Sequence, residues 1–243
     1  HVGFQNGDTP KYIRLFWDSY IYKSSWRFIQ TPPNQILFYT GLNSCISAEF
    51  ESGTVSEKAW HNQSSDSFDK KGVLVRNMRD LSSTIFMGGY FDQSGTAITC
   101  SDNVLLSLWS FASSPEFQIA VRQIEQKVNV TPASFGKISF DLAHWTKVAE
   151  EKYPNGLPKP YTDDPTQWIF HGHPCGSVVW DEEKKWTAHG PLRTDHTVLH
   201  AAAARLLGYR WPAELDASME LADEQREWVK RCEALAGYAD DDG

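Results

Sequence analysis

An α+β fold is predicted, with a β-rich core through about residue 140, crossed by a pair of helices, and a helical region after it. Three observations predict it. Apolar runs of strand length stand at 73–77, 83–87 and 96–100, punctuated by Gly88-Gly89 and by Gln93–Gly95. Two apolar patterns of helical period follow, Val104/Leu105/Leu108/Phe111 and Phe117/Ala120/Val121/Ile124. A third, Leu142/Trp145/Val148/Ala149, starts behind Asp141 and stops in a loop holding Pro154, Gly156, Pro158 and Pro160. These place an α+β domain of recognition or scaffold type at 1–140 and a helical, proline-rich region at 141–243.

In chain order, residues 1–10 carry Gly3, Asn6, Gly7, Asp8 and Pro10, which is turn chemistry. The segment is either a surface turn or a loop offering Gln5, Asn6 and backbone N–H groups to a polar partner. Lys11–Trp17 reads as a strand, and Gln35–Tyr39 as a short buried one. Between them lies Thr31-Pro32-Pro33-Asn34. Amino-methyltransferases use Asn or Asp, then Pro-Pro, then an aromatic ring, to hold the exocyclic amine and stack a flipped base. Thr31 and Asn34 occupy both chemically active positions here, and no glycine-rich methyl-donor loop precedes them, so no catalytic role is assigned.

Residues 43–71 are rich in Ser, Asn and Asp and read as a loop. The densest cationic group of the first half follows: Lys70, Lys71, Arg76 and Arg79. Two readings stay open for it, a solvated sheet edge whose charges discourage strand pairing and a surface for phosphates and base edges. Asp102 reads as the cap of the first helix, and Ser114 as the cap of the second with Pro115 at its first position. Arg122, Gln126 and Lys127 fall off the apolar face. Val128 and Val130 alternate with Asn129 and Thr131, giving either a polar strand face that presents amide and hydroxyl groups or an ordinary strand end.

Further on, His171-Gly172-His173-Pro174-Cys175 brings metal-ligating side chains together. A zinc site needs a second pair at usable spacing. His196 and His200 share i, i+4 spacing without the glutamate of a metalloprotease, so the histidines are read as hydrogen-bonding a packed loop and no metal is expected. Thr194 or Asp195 caps a helix ending at Gly208, and Leu215 to Ala236 form an amphipathic last helix.

Composition limits the function classes. Hydrophobic residues make up 41% and charged residues 22%, ordinary for a globular protein. Lys+Arg is 23 against Asp+Glu 31, a net charge of −8, which excludes a domain coated in positive charge but leaves room for a local basic strip. No apolar stretch is long enough for a membrane span, and there is no signal peptide. The cysteines Cys45, Cys100, Cys175 and Cys232 form no CxxC pair and read as buried or idle thiols of a cytoplasmic protein. The chain opens on His-Val-Gly-Phe, and is read as a piece of a longer polypeptide. A hydrolase or metalloenzyme is disfavoured, because no nucleophile–base or ligand set with usable spacing stands in the chain.

The motifs GFQNGD…RLFW, NQILFY, MRDL, SSPEF, EQKVNVT, FDLAHW, EKYPNGLPKPY, DDPTQWIFHGHP and ARLLGYRWP follow one another in that order. In order and spacing the chain resembles the region after the catalytic domain in large adenine-specific DNA methyltransferases. These include fused restriction–modification enzymes of type IIG and IIL, and methyltransferases of the phage-growth-limitation, BREX and DISARM defence systems. The resemblance spans most of the chain. It implies a recognition part that reads double-stranded DNA, joined to an upstream methyltransferase domain of the same polypeptide that binds S-adenosylmethionine. Other defence-system proteins are further partners it suggests. This chain departs from the family pattern in lacking both the donor motif and the Pro-Pro-aromatic motif, so no cofactor is expected within it. The residues assigned to DNA are Lys71, Arg76, Arg79, Lys127, Asn129, Gln5 and Asn6. The alternative is a structural or protein-interaction domain of the same large protein.

Overall fold

The structure is a computed structural model that describes residues 1–6, 12–15, 26–42, 44–47, 60–61, 65–158, 178–181, 183, 186–189, 226–227 and 230. It is mixed α+β, with two small sheets within residues 13–99 followed by four helices within 102–152. The strands are β1 (Gln5–Asn6), β2 (Ile13–Leu15), β3 (Trp26–Gln30), β4 (Ser44–Ser47), β5 (Trp60–His61), β6 (Gly72–Arg76), β7 (Ser83–Phe86), β8 (Tyr90–Phe91) and β9 (Gly95–Thr99). The helices are α1 (Asp102–Ala112), α2 (Pro115–Ile124), the single turn α3 (Pro132–Phe135) and α4 (Leu142–Lys152). A further hairpin joins β10 (Val178–Asp181) to β11 (Trp186–His189). Two compact units share the chain: one holds His1–Thr9, Phe28–Leu42 and Phe50–Leu157, the other Pro10–Arg27, Asn43–Glu49 and Pro158–Gly243.

The first unit is built on β6. This strand lies between β7 and β9 and is antiparallel to both, with Val73 opposite Ile85 and Ile98. Alternate side chains of a strand point to opposite faces. Val73 and Val75 therefore pack with Leu108, Trp109, Phe111, Phe117, Val121 and Trp145 on the helical side. Leu74 packs the other way, with Phe86, Phe91 and Ala97. Covering both faces is why the strand reads Val-Leu-Val without a polar residue. Fully burying each such side chain contributes about 1.5–3 kcal/mol.

The helices follow their capping chemistry. Ser114 accepts the Phe117 N–H at 3.3 Å and donates to the Phe111 carbonyl at 2.7 Å, so one hydroxyl closes α1 and opens α2. Asp141 accepts the His144 N–H at 3.0 Å and starts α4. At α1 the expectation is off by one residue: Ser101 is the N-cap, and Asp102 lies in the first turn, where its carboxylate favours the positive helix end. Phe111 carries the helical core, with ring centroids 5.2 Å from Phe117, 5.5 Å from Phe140 and 4.9 Å from Trp145. The Trp109 indole N–H finds the Tyr153 hydroxyl at 3.2 Å, which satisfies both polar atoms inside that core.

Several sequence expectations need correction, beginning with residues 43–71, which read as a loop and hold β4 and β5. Gln35–Tyr39 is not assigned as a strand, and Ile36 and Leu37 are 40% and 38% exposed. The segment lies along β7 through only two backbone bonds, Leu37 N–H to Ser83 O and Ile85 N–H to Phe38 O, and the prolines before it have no N–H to extend the ladder. Val128–Thr131 keeps a single bridge, Met78 with Asn129. Ile124 and Leu142 close or open their helices with partly exposed side chains, so the buried stripes narrow to Phe117/Val121 and Trp145/Ala149.

Cys100 is half-buried, and burial, with Asp102 beside it, pushes its thiol up from 9.0 to about 11. It therefore stays protonated and unreactive near neutral pH.

In the second unit, β2 and β4 pair antiparallel with Arg14 opposite Cys45, and Cys45 and Ile46 are buried. The β10–β11 hairpin sets Asp181 opposite Trp186. The His171–Cys175 cluster lies outside the described residues, as do His196, His200 and most of the last two expected helices. Among the described residues no group of His, Cys, Asp and Glu is placed to hold a metal, and no helix is long and apolar enough to cross a membrane.

Candidate nucleic-acid interface

The strand β6 ends at Arg76, and a six-residue loop, 77–82, returns the chain to β7. The loop is closed at its base by Arg76 N–H to Ser82 O at 2.9 Å. Its first residue, Asn77, is buried and ties four segments together. Its N–H donates to Ser94 O at 2.9 Å and its carbonyl accepts from Val130 N–H at 2.7 Å. Its side-chain amine donates to Gln93 O at 3.1 Å, while its side-chain oxygen accepts from the Thr96 hydroxyl at 2.6 Å. Asn77 thus uses every polar group it has, and fixes the 91–95 turn and the 127–131 segment against the loop.

The rest of the loop is pinned from α2. Gln118 donates to the Asp80 carbonyl at 2.5 Å. One Arg122 guanidinium donates to the carbonyl of Arg79 at 2.7 Å and to that of Lys127. The fork geometry of a guanidinium makes it suited to bridge two carbonyls at once. Arg79 and Leu81 both adopt left-handed backbone, with φ of 63° and 53°, and the Leu81 side chain is buried beneath the loop.

These contacts gather four of the sequence-assigned residues on one rim. Arg76 ends β6, Arg79 tops the loop, Lys127 shares the Arg122 clamp with it, and Asn129 bridges Met78. Arg79, Lys127 and Asn129 are exposed, and among the described residues their side chains make no hydrogen bond or ion pair. The Arg76 guanidinium donates to the side-chain oxygen of Asn34. Asp80 and Glu125 stand on the same rim, so its positive character is local and moderate.

Phe4, just before Gln5 and Asn6, reaches the same end of the sheet through its backbone. The Phe4 N–H donates to Phe91 O at 2.6 Å, and its carbonyl accepts from Gln93 N–H at 3.1 Å, beside the turn that Asn77 holds. Gly3 allows this approach, since a Cβ there would lie 2.5 Å from the Asp92 carbonyl oxygen. Strand β1 then pairs with β5, Gln5 opposite His61 and Asn6 opposite Trp60. Lys71 is not brought to this rim. It precedes β6 at the far end, half-buried, with its carbonyl accepting from Cys100 N–H at 3.0 Å. Five strand residues at about 3.3 Å each set it roughly 17 Å from Arg76.

Three residues that shape the site carry no assignment from the sequence. Asn77 looks like the polar end of a strand, Arg122 like a solvated helix residue, and Asn34 like the failed end of a catalytic motif. Apart from the bond from Arg122 to Lys127, their roles depend on partners 16 to 53 positions away, which no local pattern carries. Chemically, the rim offers donors from Arg76, Arg79 and Lys127 and a donor–acceptor pair from Asn129. That set suits phosphates and base edges. Thr31 gives its N–H and its hydroxyl to the Gly41 carbonyl, at 2.9 and 3.3 Å, so the residue in the motif's first position is engaged in holding its own turn.

Neither a protein-family model nor a curated protein matches this chain.

Proposed function

We propose that this chain reads double-stranded DNA as the recognition part of an N6-adenine-specific DNA methyltransferase of restriction–modification or phage defence. The observation that carries the reading is the convergence of Arg76, Arg79, Lys127 and Asn129 on one rim whose backbone is pinned by Asn77 and Arg122. With the backbone already pinned, binding has mainly the side chains left to order. Arg76 and Arg79 serve as forks for guanine O6 and N7 or for phosphate, and Asn129 pairs bidentately with adenine. Lys127 contacts phosphate. Lys71, at the far end of β6, serves a separate phosphate, and Gln5 and Asn6 extend the rim.

In this reading the upstream domain of the same polypeptide supplies S-adenosylmethionine and the methyl transfer, and the whole acts in the cytoplasm, where the DNA is. Thr31 and Asn34 do not fit a target-base site: they stand where the amine-holding and stacking side chains belong, and both are engaged elsewhere. No step is routed through the cofactor in this chain.

The test is selection of bound duplexes from a randomised library, followed by affinity measurements on Arg76→Ala, Arg79→Ala and Asn129→Ala. Loss of a base contact costs about 1–3 kcal/mol and relaxes preference at one position. If all three variants stay folded and discriminate like the unsubstituted protein, the rim is not the DNA face. A structural or protein-interaction role is favoured by the exposed apolar side chains Ile119 and Val128, 58% and 70% exposed. It predicts a stable complex with another defence-system protein and no DNA binding.

A further inference from the structure

We propose that Asn34 and Arg76 form a single donor-rich unit that reads a guanine in the major groove, with Asn34 positioning Arg76. The inference rests on the DNA-reading proposal and names one base for one part of that rim. Asn34 ends the Thr31–Asn34 turn, which is anchored on both sides. The Ser82 hydroxyl donates to the Pro33 carbonyl at 2.6 Å, and Thr31 donates to the Gly41 carbonyl through its N–H at 2.9 Å. The exposed Asn34 then accepts an N–H of the half-buried Arg76 on its side-chain oxygen.

A guanidinium only donates, so the accepting atom is the amide oxygen whichever way that amide is oriented. The contact takes one of the two lone pairs of the Asn34 oxygen and holds that oxygen toward Arg76. What the pair presents outward is the Asn34 side-chain amine and the remaining Arg76 N–H groups, none of which has another partner among the described residues. Adenine shows an acceptor and a donor in the major groove, and an asparagine must supply both complements to read it. Guanine shows two acceptors, N7 and O6. A unit whose oxygen is held toward Arg76 and whose other polar groups are donors matches guanine better than adenine, whose amine needs an acceptor. Asn129, whose amide is unengaged among the described residues, keeps both complements. Phosphate oxygens also only accept, but a phosphate contact is blind to sequence and adds to the salt dependence.

The experiment starts from the duplex the unsubstituted protein selects. Each guanine is replaced in turn by 7-deazaguanine, which lacks the N7 acceptor. The expected result is one guanine whose replacement weakens binding by about 5- to 150-fold. At that position the penalty disappears in Arg76→Ala and shrinks in Asn34→Ala, and the double variant is no weaker than Arg76→Ala alone. Asn34→Asp, which still accepts from Arg76 but replaces the outward amine with a carboxylate, melts like the unsubstituted protein and loses the guanine preference. A merely structural Asn34 would lower melting temperature and affinity for all sequences alike. If Arg76→Ala removes the penalty and Asn34→Ala leaves it whole, the paired unit is overturned while DNA reading stands. If Arg76→Ala weakens every sequence equally and flattens the salt dependence, Arg76 is a phosphate contact and the guanine assignment is overturned. If the unsubstituted protein selects no sequence, the DNA-reading proposal fails and this one with it.

Discussion

Arg79 holds a backbone conformation that an L side chain rarely adopts, with φ at 63°. Left-handed backbone costs such a residue about 1–2 kcal/mol. Nothing in an arginine announces it, because the residues that visit this region readily are glycine and, less often, asparagine and aspartate. The conformation persists because the loop is over-determined around it: Arg122 holds its carbonyl, Gln118 holds the next one, and the buried Leu81 anchors the return. An outlier kept at such a cost on the rim of a candidate interface points to a use for the side chain itself. Arg79→Gly removes the Cβ that makes the conformation costly, and the extra flexibility of glycine offsets part of the gain. The unfolding free energy is expected to rise by up to about 1 kcal/mol while DNA binding weakens. Urea denaturation beside a binding titration checks both, and a clear loss of stability would show that Arg79 is there for the fold.

The sequence made most elements legible because they rest on local chemistry. Ser114 with Pro115, and Asp141 before Leu142, mark helix starts that the structure reproduces through side-chain bonds to Phe117 and His144. The strands β6, β7 and β9 fall within one residue of the apolar runs that foretell them. Gln35–Tyr39 and Val128–Thr131 are apolar or alternating without being paired along their length, β4 and β5 arise in a stretch whose composition reads as loop, and periodicity alone cannot say where a pairing partner is. The candidate rim was half legible: its cations and amides stand out, but the joint beneath them does not. That joint is Asn77, which connects β6, the 91–95 turn and the 127–131 segment. Asn77→Ala leaves the Gln93 carbonyl and the Thr96 hydroxyl without their buried partner, at an expected cost of about 1–3 kcal/mol. It should also weaken DNA binding, although Asn77 is only 8% exposed. A urea midpoint that does not move would show that water or a neighbour replaces the side chain.

For the whole molecule, a net charge of −8 sets a background that works against any polyanion. Binding then depends on a few well-placed cations, and its salt dependence should be shallow for a protein of this size. Removing one phosphate contact, as in Lys127→Ala, is expected to reduce the slope of log affinity against log salt by about 1 without changing which duplex is preferred. Titrations at two salt concentrations measure it. An unchanged slope would remove Lys127 from the interface. The placement of Phe4 bears on how such a molecule comes to be made. Its fully buried ring lies where its backbone meets Phe91 and Gln93, about 90 residues further along the chain. A ribosome adding about 5–20 residues per second takes roughly 4–18 s to supply those partners. The four helices close on near neighbours within a fraction of that time once they emerge. Phe4 and the residues around it therefore pass several seconds of synthesis without that cover, which makes this stretch a place for a nascent-chain chaperone to bind.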